Sequence, residues 1–344
     1  MSDPRPRQTD GGSDAARLLH AAARRRSVAM ADLFLPDRLR LTERQRAVVR
    51  GLLDKTMRAV EDELRASLAG AFEGNEALHA ALSSAHVEIA GALLASSPAL
   101  QEPDLLAMLL RRAVEHRLFV SGGGAATLLL DLVGDDDAEI AGAAMAVLVA
   151  QSRRFDRFQE PALARTELPA DLQHKLVWTV AAALRLYMTR HHQVAPAAAD
   201  AALTEAAGAL LAAYDEGDTL EARALRLVRG IEAAGRLDGE LLTRALLDGS
   251  LSLFIAALCI PTGLQPAAIA ELLLGEGDGA VLLLRACGLA REQAAAILLR
   301  LGAGAEARLD RFDVTTAAEA REALLLWRSD AAYRAAIVRV GEGA

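Results

Sequence analysis

Apolar residues recur every three or four positions in one segment of this chain after another. From Val49 to Phe72 they fall at helical spacing, and Thr42 followed by Gln45 is the capping-box pattern that starts a helix. Hydrophobic residues make up 53% of the chain but aromatic residues only 3%, so the apolar mass is Ala, Leu and Val. Ala and Leu favour helices, whereas the aromatic and β-branched residues that favour strands are few. The sequence therefore predicts an all-α fold.

One helical phrase is written twice. Gly263 to Gly277 reads GLQPAAIAELLLGEG, and Gly288 to Gly302 reads GLAREQAAAILLRLG. In both copies a Gly-Leu turn leads into a helix whose inner face is Ala and Leu. Such a helix cannot bury its apolar face alone, so a neighbouring helix must cover it. The repeat predicts a packing module without chemistry, and it favours an irregular α-solenoid, that is, a HEAT-like array of helical hairpins.

The chain divides into four predicted parts. Residues 1–13 contain two prolines and two glycines and predict a disordered tail. Residues 14–74 predict N-terminal helices, and residues 75–250 predict the HEAT-like helical array. Residues 251–344 predict the C-terminal repeats and a capping helix. A chain of 344 residues is long enough for a large core and for more than one domain.

Charge and cysteine content indicate which partners and which cellular compartment to expect. The formal net charge of −8 disfavours general attraction to nucleic acid or to anionic lipid. Cys259 and Cys287 form no Cys-x-x-Cys motif, which predicts buried thiols in a reducing compartment. The N-terminus has no signal-peptide pattern, and no run of about 18 apolar residues occurs. We therefore expect a cytoplasmic protein without membrane contact.

Three segments resemble a known family. Ser96 to Leu110 contains Ser-Pro-x-Leu-x-x-x-Asp-Leu, Ala164 to Met188 contains Arg-x-x-Leu-Pro-x-x-Leu, and Leu41 to Ala69 is a long helix rich in Arg and acidic residues. Together they resemble an alphaproteobacterial family of cytoplasmic, HEAT-like helical proteins that is known as a domain of unknown function, over residues 40–300. The resemblance implies a helical fold and a bacterial cytoplasm. It brings no catalytic residues with it.

Several polar motifs invite a chemical interpretation. Ser121 to Asp137 reads SGGGAATLLLDLVGDDD, but its glycines are consecutive and no Lys is near, so an interhelical turn explains it better than a phosphate loop. Asp135 to Asp137 lack the alternating ligands of a metal loop and suit a helix N-terminus. His191 and His192 are adjacent and cannot share a helical face. We therefore predict no catalytic, cofactor or metal residues and a non-enzymatic protein, although residues distant in sequence could still converge in the fold.

The candidate partner-binding site lies on the helix predicted from Pro169 to Arg190. Its core stripe is Leu172, Leu176, Val180, Leu184, Tyr187 and Met188. Trp178 lies off that stripe, and His174, Arg185 and His192 are predicted to lie near Trp178. A tryptophan beside an arginine on a polar face is the residue mix of a binding hot spot. The alternative is that a second helical layer covers Trp178.

These observations favour a scaffold that binds another protein, with bacterial signalling as the expected setting. A nucleic-acid-binding HEAT-like protein is the first alternative, and the basic triplet Arg24 to Arg26 is its main support. A small-ligand sensor is the second alternative. Trp327 and Tyr333, in the last predicted helix, offer a cap or a face for homo-oligomer formation.

Overall fold

The computed structural model describes residues 41–94, 100, 102–124, 126–275, 277–302 and 305–341. Across these ranges the regular elements are seventeen α-helices and three short 3-10 turns, and none is a strand. The predicted all-α fold class is confirmed. The tail predicted for residues 1–13 and the triplet Arg24 to Arg26 lie outside the described residues.

The chain divides into two compact units, Met1–Ala47 and Val48–Ala344. In the described part of the first unit, the Gln45 backbone N–H donates to Thr42 Oγ1 at 3.2 Å, and the Thr42 backbone N–H donates to Gln45 Oε1 at 2.9 Å. This reciprocal pair is the capping box that the sequence predicts. The first turn of the first helix also lies in this unit, and the features of the fold and of the candidate sites described below belong to the second unit.

The helices form one continuous series with short connections. The first eight are α1 (Glu43–Ala71), α2 (Glu76–Ser83), α3 (Ala90–Leu94), α4 (Pro103–Ser121), α5 (Thr127–Val133), α6 (Ala138–Ser152), α7 (Ala170–His191) and α8 (Pro196–Ala212). The remaining nine are α9 (Leu220–Ala233), α10 (Gly239–Leu247), α11 (Leu251–Thr262), α12 (Pro266–Leu274), α13 (Gly279–Ala286), α14 (Arg291–Leu301), α15 (Ala305–Val314), α16 (Ala317–Ala323) and α17 (Ala331–Gly341).

The two copies of the repeated phrase adopt the same local structure. Gly263 and Gly288 both have positive φ, +66° and +72°, which glycine adopts without steric cost. The following leucines, Leu264 and Leu289, are both buried, and α12 and α14 begin just after them. The two helices share α13 as a neighbour but differ in the others, because α12 also packs on α11 whereas α14 also packs on α10 and α15.

Two hydrophobic cores hold the helices together. The first core joins α1, α2 and α3 to α7 and α8. The second core joins α5 and α6 to the helices from α9 to α14 and extends to Phe312 of α15 and Ala320 of α16. Helix α4 belongs to both, since Leu105 and Leu109 lie in the first core and Leu118 lies in the second. The domain boundaries predicted between residues 74 and 75 and between residues 250 and 251 stay predictions.

Among the described residues, no single helix combines the length and the apolar character needed to cross a membrane. Only α11 and α12 taken together reach that length, and the chain bends by 109° between them.

Candidate partner-binding site

The structure places the four predicted binding residues along one side of α7. The core stripe of this helix is confirmed, since Leu172, Leu176, Val180, Leu184 and Met188 are buried and Tyr187 is half-buried. Trp178 is also half-buried and packs against the first core. Trp178 is therefore neither fully exposed nor completely covered by a second layer of helices.

Each of these four residues already has a partner within the chain. The Trp178 Nε1–H donates to His174 Nε2 at 3.1 Å. Arg185 forms an ion pair with Asp200 of α8, in which Nη2 donates to Oδ2 at 3.1 Å. The ring of His192, at the C-terminal end of α7, lies 5.1 Å from the ring of Tyr187. We call the surface formed by His174, Trp178, Arg185 and His192 the Trp178 face. It stays a predicted binding surface.

A second candidate surface is an open cleft of about 520 Å³. It lies where the end of α4 meets α5, the end of α6 and the loop that follows α6. Its walls are mostly apolar and include phenylalanine and leucine side chains. We call it the Phe155 cleft, and its lining residues are Phe119, Gly124, Ala126, Leu130, Leu148, Gln151, Ser152, Phe155, Asp156, Arg157 and Gln159.

The loop over residues 155–161 is tightly folded. Asp156 Oδ1 accepts hydrogen bonds from the backbone N–H groups of Phe158 at 2.8 Å and of Glu160 at 3.0 Å. Gln159 has φ +64°, a left-handed conformation that costs a residue with a side chain about 1 kcal/mol or more. Strained residues of this kind occur preferentially at functional sites. We call this segment the Phe158 loop.

The Phe158 loop presents an aromatic ring to solvent. The side chain of Phe158 is 69% exposed, and the guanidinium of Arg157 lies 4.7 Å from the centre of its ring. At the base of the loop, Lys55 Nζ donates to Asp156 Oδ2 at 2.7 Å, and this hydrogen bond lowers the pKa of the Asp156 carboxyl. Asp156 thus anchors the loop, while the Phe158 ring is exposed and contacts the guanidinium of Arg157.

Phe119 and Phe155 form the back of the cleft. Their ring centres are 4.7 Å apart, and the guanidinium of Arg112 lies 5.3 Å from the centre of the Phe155 ring. The backbone of Phe119 passes very close to Gly249, in the turn between α10 and α11. A Cβ atom at Gly249 would lie 2.3 Å from the Cα of Phe119, and Gly249 has φ +78°. Glycine is therefore required there so that α4 can place Phe119 in the cleft.

A buried group of charges underlies the Phe158 loop and lies between the two cores. Arg154, in the connector after α6, donates to Glu115 of α4 at 3.0 Å and to Glu167 at 2.9 Å. It also donates to both carboxylate oxygens of Glu221 of α9 at 3.0 Å. Three arginines thus balance three glutamates. This ionic network comprises Arg111, Arg112, Glu115, Arg154, Glu167 and Glu221.

The ionic network also holds the connector backbone. Arg112 donates through Nε to the carbonyl of Ala162 at 3.0 Å and through Nη2 to the carbonyl of Arg154. The backbone N–H of Ala162 donates to the same Arg154 carbonyl at 2.9 Å. Both ends of the Phe158 loop are therefore fixed to α4, which is a rigid support for a binding surface.

Electrostatic effects keep Glu115 and Arg154 ionised within this network. Burial would raise the pKa of Glu115, but Arg154, Arg112 and Arg111 outweigh it and hold the pKa at about 2. Burial alone would lower the pKa of Arg154, yet Glu221, Glu115 and Glu167 raise it above its ordinary value. Glu115 and Arg154 are therefore charged and paired near neutral pH.

The other motifs have structural explanations. The glycines at 122, 123 and 124 form the predicted turn between α4 and α5, with φ of +91° at Gly123 and +69° at Gly124. Asp137 caps α6, since Oδ1 accepts from the N–H groups of Glu139 at 2.9 Å and Ile140 at 3.3 Å. Asp135 pairs with Arg236. Among the described residues, no group of three or more His, Cys, Asp and Glu side chains is arranged to hold a metal ion.

Sequence reasoning missed the Phe155 cleft and the ionic network. A signal was nevertheless present, because the connector RRFDRFQEP holds two of the seven phenylalanines of the chain between helices. Arg112, Glu115, Arg154 and Glu221 gave no such signal, since they lie on three separate segments and read as ordinary surface charges.

The chain was compared with known families, proteins and structures. No curated protein and no solved structure matches it. A family model described as an uncharacterised protein conserved in bacteria (DUF2336) matches residues 123–334. This range covers more than half of the chain and contains the Phe158 loop. The chain therefore belongs to the DUF2336 family of bacterial proteins.

Proposed function

We propose that this protein is a non-enzymatic interaction module that binds a segment of another protein in the Phe155 cleft. The observation that carries the proposal is the position of Phe158, an exposed aromatic residue held on a strained, anchored loop beside an apolar cleft. Binding hot spots are enriched in aromatic residues and arginine, and Arg157 lies over the Phe158 ring.

The apolar surface continues beyond the loop. Leu130 of α5 is 55% exposed, and Met145 and Val149 of α6 are 45% and 42% exposed. Met145, Val149 and Ser152 are spaced by four and three residues, so they lie on one side of α6, and Ser152 lines the cleft. Clustered exposed apolar side chains of this kind mark interaction surfaces in soluble proteins.

The helical layers would act as the scaffold that carries this surface. We take them as an irregular, HEAT-like α-solenoid. Consecutive helices pack as pairs in α5 with α6, α7 with α8, and α14 with α15, which supports this interpretation. Helix α6 also packs on α9, and this contact makes the array irregular. The setting that we propose is the bacterial cytoplasm, in a signalling or regulatory assembly.

The test is capture of partners by the tagged full-length protein from a lysate of its own source. Four baits are compared: the wild type, a Phe158→Ser/Leu130→Ser variant, Trp178→Ala, and Leu299→Ser. Leu299 is the matched control, since it is an equally exposed apolar residue on α14, away from the cleft. Bound proteins are identified by mass spectrometry.

A stoichiometric partner that is lost only with the Phe158→Ser/Leu130→Ser variant supports the proposal. A partner that is lost only with Trp178→Ala would show that the binding surface is the Trp178 face of α7 and not the Phe155 cleft. If nucleic acid or a small molecule is the only specific material recovered, the interaction-module function is wrong.

A further inference from the structure

We infer that the Phe155 cleft takes an acidic amphipathic helix of the partner protein, anchored by large apolar side chains and attracted by the arginines of its rim. This inference rests on the proposed function and specifies the chemistry of the partner.

The unpaired charges beside the cleft are mainly cationic. Arg157 lines the cleft, and Arg153 directly follows Ser152, which also lines it. Both arginines are exposed, and no carboxylate of the described residues lies within ion-pair distance of either. Asp156 is already paired with Lys55. Glu160 is the remaining acidic residue of the loop, so arginines exceed free carboxylates here.

This local charge opposes that of the whole chain. The formal net charge is −8, so most of the surface repels an acidic partner. A small cationic rim on an acidic protein attracts an acidic segment locally. Charge complementarity of this kind raises the association rate and excludes wrong partners more than it adds affinity.

The walls of the cleft favour a helical partner over an extended one. Strand addition needs an open sheet edge, and the described residues contain no strand to which a partner could add. The cleft instead offers side chains of α4, α5 and α6, among them Phe119, Leu130 and Leu148. A groove between helices accepts apolar side chains spaced at i and i+4 from a partner helix. The cationic rim would then meet the acidic face of that helix.

The test uses a phage-displayed library of random peptides of about 16 residues, roughly four helical turns. The library is selected on the full-length wild type and depleted on the Phe158→Ser/Leu130→Ser variant. We expect enriched peptides to be net negative and to carry large apolar residues at i and i+4. Their affinities are then measured by fluorescence anisotropy at low and high salt.

Arg157→Glu tests the rim directly. It should weaken binding of the selected peptides about tenfold, mainly through slower association, and high salt should weaken wild-type binding. The matched control is Arg339→Glu, an identical charge change at an exposed arginine of α17, which should alter affinity less than about twofold.

Two other results overturn the inference in distinguishable ways. If the enriched peptides are neutral, basic or proline-rich but still need Phe158 and Leu130, the acidic-helix inference is wrong and the proposed function stands. If no peptide prefers the wild type over the Phe158→Ser/Leu130→Ser variant, the cleft is not a peptide-binding site, and both the inference and the proposed site fail.

Discussion

Arg154 donates to both carboxylate oxygens of Glu221 at 3.0 Å, although 67 residues separate them in the sequence. The same guanidinium contacts Glu115 of α4, the helix that contributes to both cores. Arg154 is thus the point where the connector after α6 joins α4 and α9. Because the ionic network is buried, loss of any one of its charged partners should lower the stability of the fold.

Arg154→Met should lower the free energy of unfolding by about 3–5 kcal/mol, because it removes the ion-pair partner of the buried Glu167 and leaves three carboxylates of the network facing only two arginines. Urea denaturation followed by circular dichroism measures this change. Arg185→Met is the control, since it removes an exposed ion pair with Asp200 and should cost less than about 1 kcal/mol. Equal effects in the two variants would contradict the structural role of the network.

Acid should destabilise the protein through Glu115. Its pKa is about 2 in the folded chain and 4.5 ordinarily, so the unfolded state binds a proton more readily. The stabilisation is complete above about pH 4.5 and is lost as the pH falls from there through 2, amounting to about 3 kcal/mol. Urea denaturation across this pH range should show the decline. Glu115→Gln should be less stable at neutral pH and should decline less steeply, and an unchanged slope would show that Glu115 is not the titrating group.

Gly249→Ala should destabilise the protein by about 2–4 kcal/mol, since it adds a clash with the Phe119 backbone to the cost of a positive φ. Gly235→Ala separates the two effects. Gly235 has φ +70° but open space around it, so alanine there should cost only about 1–2 kcal/mol. Thermal and urea denaturation give both values. If the two variants are equally destabilised, the close approach of α4 is not as the structure shows it.

Both cysteines should be unreactive in the folded protein. Burial raises the pKa of Cys259 to about 11 and that of Cys287 to about 12, so almost no thiolate exists near pH 8. Ellman's reagent should react slowly in native buffer and should titrate two thiols in guanidinium chloride. Rapid reaction of one thiol in native buffer would identify a nucleophilic cysteine and weaken the non-enzymatic proposal.

The features that the sequence predicts correctly depend on near neighbours. The caps at Thr42 and Asp137 form as expected, because a cap needs only the next three residues. The turns at Gly263 and Gly288 and the buried stripe of α7 follow in the same way from local conformation and from helical period.

The features that could not be predicted depend on contacts between distant segments. A sequence does not distinguish the buried Arg154 from the exposed Arg153 beside it, because their burial is set by α4 and α9. The half-burial of Trp178 likewise results from packing against the first core and not from its position on the helical wheel. The Phe155 cleft arises where α4, α5 and α6 meet, and periodicity carries no information about that meeting point.

Mutation of the two phenylalanines of the Phe158 loop should affect different properties, stability for Phe155 and partner binding for Phe158. Phe155→Ala removes a half-buried ring that contacts Phe119 and Arg112, and it should cost about 2–3 kcal/mol of unfolding free energy. Phe158→Ala removes an exposed ring and should change stability by less than about 0.5 kcal/mol while abolishing partner binding. Urea denaturation and capture with the same two proteins provide the comparison. A stability loss above about 1 kcal/mol in Phe158→Ala would assign Phe158 to the fold, and its exposure would then no longer support a binding role.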